Sequence, residues 1–427
     1  MRHIAVIGAG ITGVTTAYAL SEKGYKVTVF DRNRYAAMET SFANGGQLSA
    51  SNAEVWNNWG TVWKGIKWMF RKDAPLLVNL KPSWHKYSWM AEFIANIPHY
   101  RENTIATTKL AIEGRKYMFA MAERENIDFD LEKRGILHVY QSKAEFDHAT
   151  EVNALLNEGG LDRRAVTPGE IRTIEPALHG EFYGGFFTPS DSTGDIHKFT
   201  TGLAEAAKKQ GAHFILDADV QELTASGRPR VTWRDNHGAD AGTTKTLEVD
   251  AIVICAGSHS PQLARMVGDR VNIYPVKGYS ITVLMDDEES RAAAPWVSLL
   301  DDHAKIVTSR YKDRFRVAGT AEFNGYNRDI RHDRIKPLIE WVNTFFPQVN
   351  TSQSVPWAGL RPMMPNMLPR VGPGSKAGIY YNTGHGHLGW TLSAATAELI
   401  AARIETDLPL DDVGGQHVAA PKRMAAV

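Results

Sequence analysis

A single cysteine, Cys255, occurs in 427 residues. One thiol excludes a disulfide framework and a cysteine-ligated metal cluster. An excess of charge is also missing. The 48 Lys and Arg residues balance 48 Asp and Glu, so no global basic field attracts nucleic acid, and no nucleic-acid partner is expected. No uncharged apolar run reaches the roughly 18 residues that a membrane-spanning helix needs. No leader precedes the first apolar run, which makes the cytoplasm the expected location. No His, Asp and Glu set has metal-ligand spacing; His85, His332 and Asp333 stand isolated. Neither a Gly-x-Ser-x-Gly elbow nor a P-loop is present. What remains is ordinary for a soluble globular protein, with 43% apolar and 22% charged residues. The length is enough for two domains.

The informative part lies at the start. His3-Ile4-Ala5-Val6-Ile7 is a short apolar run, followed by Gly8-Ala9-Gly10-Ile11-Thr12-Gly13 and then by Val14 to Leu20 at helical spacing. Strand, G-x-G-x-x-G and helix form the dinucleotide-binding fingerprint in its required context. Gly8 permits the tight turn, Gly10 lets the backbone approach a pyrophosphate, and Gly13 lets helix and strand pack closely. The helix N-terminus faces the phosphates. A second apolar run, Val27-Thr28-Val29-Phe30, ends at Asp31, 18 positions past Gly13. An acid there takes a ribose hydroxyl. The motif does not separate FAD from NAD.

The expected fold class is α/β: a Rossmann-like dinucleotide domain interleaved with a second, α+β domain on a mixed or antiparallel sheet. Residues 1–55, 186–262 and 355–427 are assigned to the first domain. Within it, a helical stripe of Phe199, Leu203, Ala206 and Ala207 leads to a strand over 213–216. A buried strand over 251–255 runs into Ala256-Gly257. Residues 56–185 and 263–354 are assigned to the second domain, which would close over the nucleotide site. The first of these holds long helical patterns, such as 110–124. The second alternates like strands at 279–283, 305–308 and 315–318. Residues 414–427 are expected to fray. Six of the 11 tryptophans fall between 56 and 89: Trp56, Trp59, Trp63, Trp68, Trp84 and Trp89, with Met69, Phe70, Arg71 and Lys72 among them. Such a segment can be core or a domain contact. It can also lie in a bilayer interface, which would place the protein at the inner face of the cell membrane.

Near the C-terminus a strand at 379–382 leads into a second glycine loop, Thr383-Gly384-His385-Gly386-His387-Leu388-Gly389-Trp390, and then a helix over 393–404. A flavin ring would need such a wall. The dipole of that helix would stabilise negative charge on the reduced ring. With Glu39-Thr40-Ser41-Phe42-Ala43-Asn44-Gly45-Gly46-Gln47, Ile66-Lys67-Trp68-Met69-Phe70, Tyr274-Pro275-Val276-Lys277-Gly278-Tyr279-Ser280, Gly359-Leu360-Arg361-Pro362 and Asn382-Thr383-Gly384-His385-Gly386, residues 1–405 resemble the D-amino-acid dehydrogenase small subunits of the glycine/D-amino-acid oxidase (DAO) flavoprotein family. The resemblance implies noncovalent FAD and oxidation of an amino acid to an imino acid that hydrolyses. Hydride would pass from the α carbon to flavin N5. It implies cofactor contacts at Gly8, Gly10, Ile11, Thr12, Gly13, Asp31, Arg32, Thr40, Ser41, Asn44, Gly45, Gly46, Gln47, Leu48, Val220, Ala256 and Gly257. Further contacts are implied at Gly384, His385, Gly386, His387, Leu388, Gly389, Trp390 and Thr391. No thioether to Cys255 is expected.

Gly-x-Arg-Pro matches the family's carboxylate arginine at Arg361, whose planar fork suits a carboxylate. Tyr279, Tyr274 and Tyr311 are further candidates for the substrate pocket. Arg310 is a supplement to Arg361, and Lys277 is a cation for the flavin N5 region. No dedicated base is assigned. Electrons are expected to leave through a quinone or another non-oxygen carrier. Substrates are free D-amino acids, with D-proline-type imino acids included. The chain departs from the family pattern at Glu54-Val55-Trp56-Asn57-Asn58-Trp59, where a Pro/Ala/Gly-rich stretch is expected. That segment belongs to the substrate lid, so the side-chain preference does not carry over. An oxygen-using amino-acid, sarcosine or glycine oxidase of the same fold, and a flavin-binding subunit without turnover, are the alternatives.

Overall fold

Two large sheets meet along a seam. The computed structural model describes residues 1–68, 76–238 and 240–410. Residues 414–427 and Met69, Phe70, Arg71 and Lys72 lie outside the described residues.

The first sheet has six strands, in the order Arg370–Pro373, Ile379–Thr383, Ala251–Ile254, His3–Ile7, Lys26–Phe30 and His213–Ile215. Every neighbouring pair is parallel except the edge strand Arg370–Pro373. A strand's side chains alternate between faces, and here both faces are covered. Ile4, Val6, Val27, Val29, Ala251 and Val253 pack with Val14, Phe199, Leu203, Ala394 and Ile400 of the helices Ile11–Glu22, Ile196–Lys209 and Gly389–Asp407. Ala5, Ile7, Phe30, Ile252 and Ile254 point the other way, onto a three-stranded antiparallel sheet that contributes Ala218, Leu223, Val231 and Trp233. Burial on both faces explains why these strands are continuous apolar runs.

The second sheet has nine strands and is mixed. Its path runs Ser354–Met363, Tyr274–Leu284, Arg314–Phe323, Ile306–Tyr311, Ser298–Asp301, Ile136–Tyr140, Gly184–Thr188 and Arg164–Val166, and Leu76–Val78 pairs with Arg314–Phe323. The helix His332–Phe345 covers one face through Leu338, Trp341 and Val342. Gly278, Ser280, Val307, Ala318 and Thr320 of this sheet line a cavity together with Ile7, Phe30, Cys255 and Thr383 at the carboxyl ends of the first sheet's strands.

Two assignments move. Ser354–Met363 pairs along its whole length with Tyr274–Leu284, and Gly184–Thr188 pairs with Ile136–Tyr140. Both strands therefore belong to the second sheet, and the boundaries at 186 and 355 fall inside them. Backbone pairing with distant partners decided this, which no local pattern reports. The helices are longer than their apolar stripes. The stripe at 110–124 lies in Tyr100–Arg124 and that at 393–404 in Gly389–Asp407.

A buried ion pair ties the long helix to the seam. Arg115 of Tyr100–Arg124 meets Asp191, both side chains being almost wholly buried. The same carboxylate accepts the backbone N–H groups of Ala50, at 2.9 Å, and Ser51, at 3.1 Å. Removing one partner leaves a buried charge uncompensated. Asp191→Ala is expected to lower stability by about 3–5 kcal/mol in urea unfolding. A loss of about 1 kcal/mol or less, typical of an exposed pair, would count against this role.

Candidate functional site

The parallel strands of the first sheet end on a cavity of about 840 Å³ that runs along the seam. Ligands of doubly wound sheets bind outside these carboxyl ends.

The glycine fingerprint shapes the near wall. Gly8 has φ +112°, and a Cβ there would lie 2.7 Å from the Cys255 carbonyl oxygen. A Cβ on Gly13 would lie 1.8 Å from the Gly8 oxygen. Gly13 thus serves helix packing and does not line the cavity. Gly10 differs: a Cβ there would meet only Ser41 Oγ, at 3.4 Å, and its free side faces the cavity. The helix Ile11–Glu22 that follows has no side-chain cap and no acid in its first turn. Its positive end is left to an anionic ligand. Asp31 closes the turn by accepting the Ala9 N–H at 2.6 Å and the Asn33 N–H at 2.8 Å. Burial pushes its carboxyl above the usual range, against these hydrogen bonds. Arg32 reaches Glu39 at 2.7 Å. Val220, Ala256 and Gly257 complete this end, with Cys255, whose thiol burial raises to about 12.

The segment 40–47 forms the floor. Thr40 Oγ1 donates to the Leu360 carbonyl at 2.8 Å, and Ser41 Oγ accepts the Ile11 N–H at 3.0 Å. Asn44 Oδ1 accepts the Gly46 N–H at 2.9 Å. Gln47 Nε2 donates to Ser298 Oγ at 2.8 Å and to the Leu299 carbonyl at 3.0 Å. Thr40, Ser41, Asn44, Gly45, Gly46 and Gln47 all line the cavity, whereas Leu48 is buried behind it.

The C-terminal loop is the far wall: Gly384, His385, Gly386, His387, Leu388, Gly389 and Trp390 line the cavity. Thr391 does not, its hydroxyl accepting the Ser49 N–H at 3.1 Å. His385 Nε2 pairs with Thr396 Oγ1 at 2.9 Å. His387 Nε2 pairs with the Asn52 carbonyl at 3.0 Å, and its ring stacks on Trp56 at 4.7 Å. Burial holds both imidazoles neutral, lowering His385 to about 3 and His387 to about 4. Among the described residues, His385 Nδ1 and Trp390 Nε1 of this wall, and Gln262 Oε1 of the helix Ser260–Met266 beyond Gly257, are buried polar atoms of the cavity lining without a protein partner. Glycine turn, uncapped helix end and these polar atoms together fit a long, anionic dinucleotide with a ring system at its far end.

Of the residues expected to act on substrate, the structure brings Arg361 and Tyr279 to the cavity. Arg361 lies on the strand Ser354–Met363, and its guanidinium crosses Gly278 of the adjacent strand. A Cβ on Gly278 would sit 2.1 Å from Arg361 Nη1. No carboxylate pairs with it among the described residues, and burial lowers its pKa to about 10. Trp357 crosses Gly359 in the same way, its ring 2.1 Å from where a Cβ would be, and it also lines the cavity. Sequence reasoning missed Trp357; a glycine pair opposed across two strands, Gly278 and Gly359, is the signal that marks both close approaches.

Tyr279 borders the cavity but commits its hydroxyl elsewhere, and the remaining candidates do not line it. The Tyr279 ring packs with Ile281, Phe315 and Leu338, and its hydroxyl donates to Glu322 Oε2 at 2.6 Å, so it presents no free hydroxyl. Lys277 is wholly buried outside the cavity, paired with Glu322 at 3.0 Å and donating to Asn327 Oδ1 at 2.6 Å. Tyr274 stacks on Phe323 at 5.4 Å and accepts the Gly325 N–H at 3.1 Å. Tyr311 backs the floor, its hydroxyl 1.5 Å from where a Cβ on Gly46 would be. Arg310 lies over Trp296, 3.7 Å from the ring centre, and donates to the Ala294 carbonyl at 3.1 Å.

A profile of FAD dependent oxidoreductases, the DAO family, matches residues 3–403. A protein of Mesorhizobium japonicum named D-amino acid dehydrogenase 3 is 65% identical over 412 residues, 96% of this chain and 99% of that protein. A D-amino acid dehydrogenase of Paramagnetospirillum magneticum is 40% identical over 409 residues, 93% of this chain and 94% of that protein. Glycine oxidase from Bacillus cereus has the same fold, with a TM-score of 0.70 at 20% identity over 95% of this chain and 98% of that one. The chain belongs to the DAO family of oxidoreductases, and FAD is its cofactor.

Proposed function

We propose that the protein oxidises free D-amino acids, D-proline-type imino acids included, to imino acids that hydrolyse in water, and that the electrons pass to a quinone or another non-oxygen acceptor. The observation that carries the reading is the guanidinium of Arg361, without a carboxylate partner among the described residues, in the wall of the cavity that holds the dinucleotide fingerprint. The names of the relatives support the substrate class and its chirality.

The residues assigned to FAD are those of the near wall, floor and far wall that line the cavity. When bound, FAD supplies the acceptor for the α hydrogen and its electron pair. The protein's part is placement. Arg361 receives the substrate carboxylate in two parallel hydrogen bonds, and Gly278 leaves room for the fork to lie flat. The substrate carboxylate becomes the counter-ion that the wall lacks. His387 lies close enough to feel the Arg361 charge, and because it stays neutral it adds no second cation. Trp357 closes one side. Asp31, Val220, Ala256 and Gly257 are assigned to the adenosine end.

Membrane contact belongs to the same reading, since quinones dissolve in lipid. Trp59, Trp63 and Trp84 are 57%, 61% and 84% exposed. Lys67 lies in the last turn of the helix Trp59–Trp68. Exposed tryptophans beside cations suit a bilayer interface. Among the described residues no helix is long and apolar enough to cross a membrane.

An anaerobic visible spectrum of the purified protein tests the reaction. The flavin band is expected to bleach with D-amino acids and not with their L-forms, and colour is expected to return slowly in air. Rapid return with peroxide formation would make the protein an oxidase. A band that no amino acid bleaches would sink the enzymatic reading. Arg361→Ala is expected to raise the apparent KM by roughly ten- to over a hundredfold, the worth of a charged hydrogen bond, with the flavin spectrum intact. Unchanged turnover would remove Arg361 from carboxylate binding. Replacing Trp59, Trp63 and Trp84 together by Ser is expected to abolish co-sedimentation with anionic phospholipid vesicles; equal sedimentation of variant and parent would exclude this face as the contact.

A further inference from the structure

The cavity does not end at Arg361. Asn52, Glu54, Trp56, Tyr140 and His148 also line the cavity, with Asp302 and the cations Lys64, Arg163 and Lys305. His387 feels the Arg361 charge, stacks on Trp56 and holds the Asn52 carbonyl. Glu54 lies between Asn52 and Trp56 in the chain, and all three line the cavity with Arg361.

Glu54 is a carboxylate without a committed cation. Tyr100 donates to its Oε1 at 2.8 Å, and no salt bridge to it exists among the described residues. Its neighbours are largely engaged elsewhere. Lys305 is bound to Asp302 at 2.5 Å, and His148 leans toward Glu151 at 3.9 Å. His148 and Lys305 help its charge and Asp302 opposes it, but burial dominates and raises the carboxyl. A buried acid of this kind gains from a ligand cation that restores its ionised form. The Trp56 indole beside it adds a ring face, which also favours a cation.

The lining of one cavity therefore holds a guanidinium without a carboxylate partner, Arg361, and a carboxylate without a salt bridge among the described residues, Glu54. We infer that Glu54, with Trp56, forms a side-chain subsite for a terminal ammonium or guanidinium, so that lysine-like and arginine-like D-amino acids are the preferred substrates. The inference rests on the proposed function, because it takes the substrate carboxylate to be held by Arg361.

The test is a kcat/KM comparison on the flavin-loaded protein with a dye acceptor. D-lysine and D-arginine are set against D-norleucine, which has a similar length and no side-chain charge. The parent protein is expected to favour the basic substrates over D-norleucine by tenfold or more. In Glu54→Gln that ratio is expected to fall about tenfold, and in Glu54→Asp to recover in part. A parent ratio near one overturns the subsite without touching the amino-acid reading, since D-norleucine still turns over. A ratio that Glu54→Gln leaves unchanged also overturns it. If no D-amino acid bleaches the flavin, the functional reading fails and the subsite with it. The parent ratio stands whether or not the variants fold, and flavin content reports their folding.

Discussion

Segment 40–47 is the constraint on which the site depends. It runs between the two sheets with almost no regular structure, so its backbone groups must find partners one at a time. The second sheet supplies them. Ser280 Oγ donates to the Ala43 carbonyl at 3.1 Å, Ser309 Oγ to the Gly45 carbonyl at 2.7 Å, and Arg316 Nη1 to the Asn44 carbonyl at 3.4 Å. The first domain holds the other side, through Ser41 to the Ile11 N–H and through the Gly194 N–H to the Gly46 carbonyl at 3.0 Å. Gly45 and Gly46 permit this closeness, because a Cβ on either would strike Val307 or Tyr311. The stitch fixes the width of the seam, and the seam is the cavity.

Charge in the cavity is arranged by leaving groups unpaired. Other buried cations of the second sheet have partners: Lys277 meets Glu322, Arg314 meets Asp130 and Asp195 at 3.1 and 3.0 Å, and Arg310 and Arg316 donate to carbonyl and hydroxyl oxygens. Arg361 has no such partner among the described residues, and it lines the cavity. A buried guanidinium without a carboxylate is costly, and under the proposed function the substrate carboxylate offsets that cost. The neutral imidazoles beside it sharpen the contrast, since neither offers a competing charge.

The fingerprint was legible because its chemistry is local. Glycine spacing, the apolar run before it and Asp31 after it all lie within one strand-turn-helix-strand unit, and each glycine meets a nearby backbone. Arg361 was legible through its Gly-x-Arg-Pro block. Tyr279 turned its hydroxyl away from the site because side-chain direction on a strand follows parity. Tyr279 shares its parity with Ile281 and Val283, and all three pack under the helix His332–Phe345. Read by alternation, the segment would have placed the tyrosine on the packed side. The register shift between Gly278 and Tyr279 further separates what the Lys-Gly-Tyr block seemed to unite. Glu54 could be named but not interpreted, because Tyr100, His148 and Asp302 reach it from distant parts of the chain. The strand Ser354–Met363 was misassigned for the same reason.

The helix Gly389–Asp407 lies against the first helix of the chain. Thr15 Oγ1 donates to the Ser393 carbonyl at 3.3 Å, and Asn382 Nδ2 donates to Thr16 Oγ1 at 2.9 Å. The fingerprint helix therefore finds the cover for its apolar face in a segment 378 positions further along the chain. Such a chain cannot complete its domains one after another during synthesis. A partly folded chain with an uncovered apolar face then persists until both segments are present, and such a species is prone to aggregate.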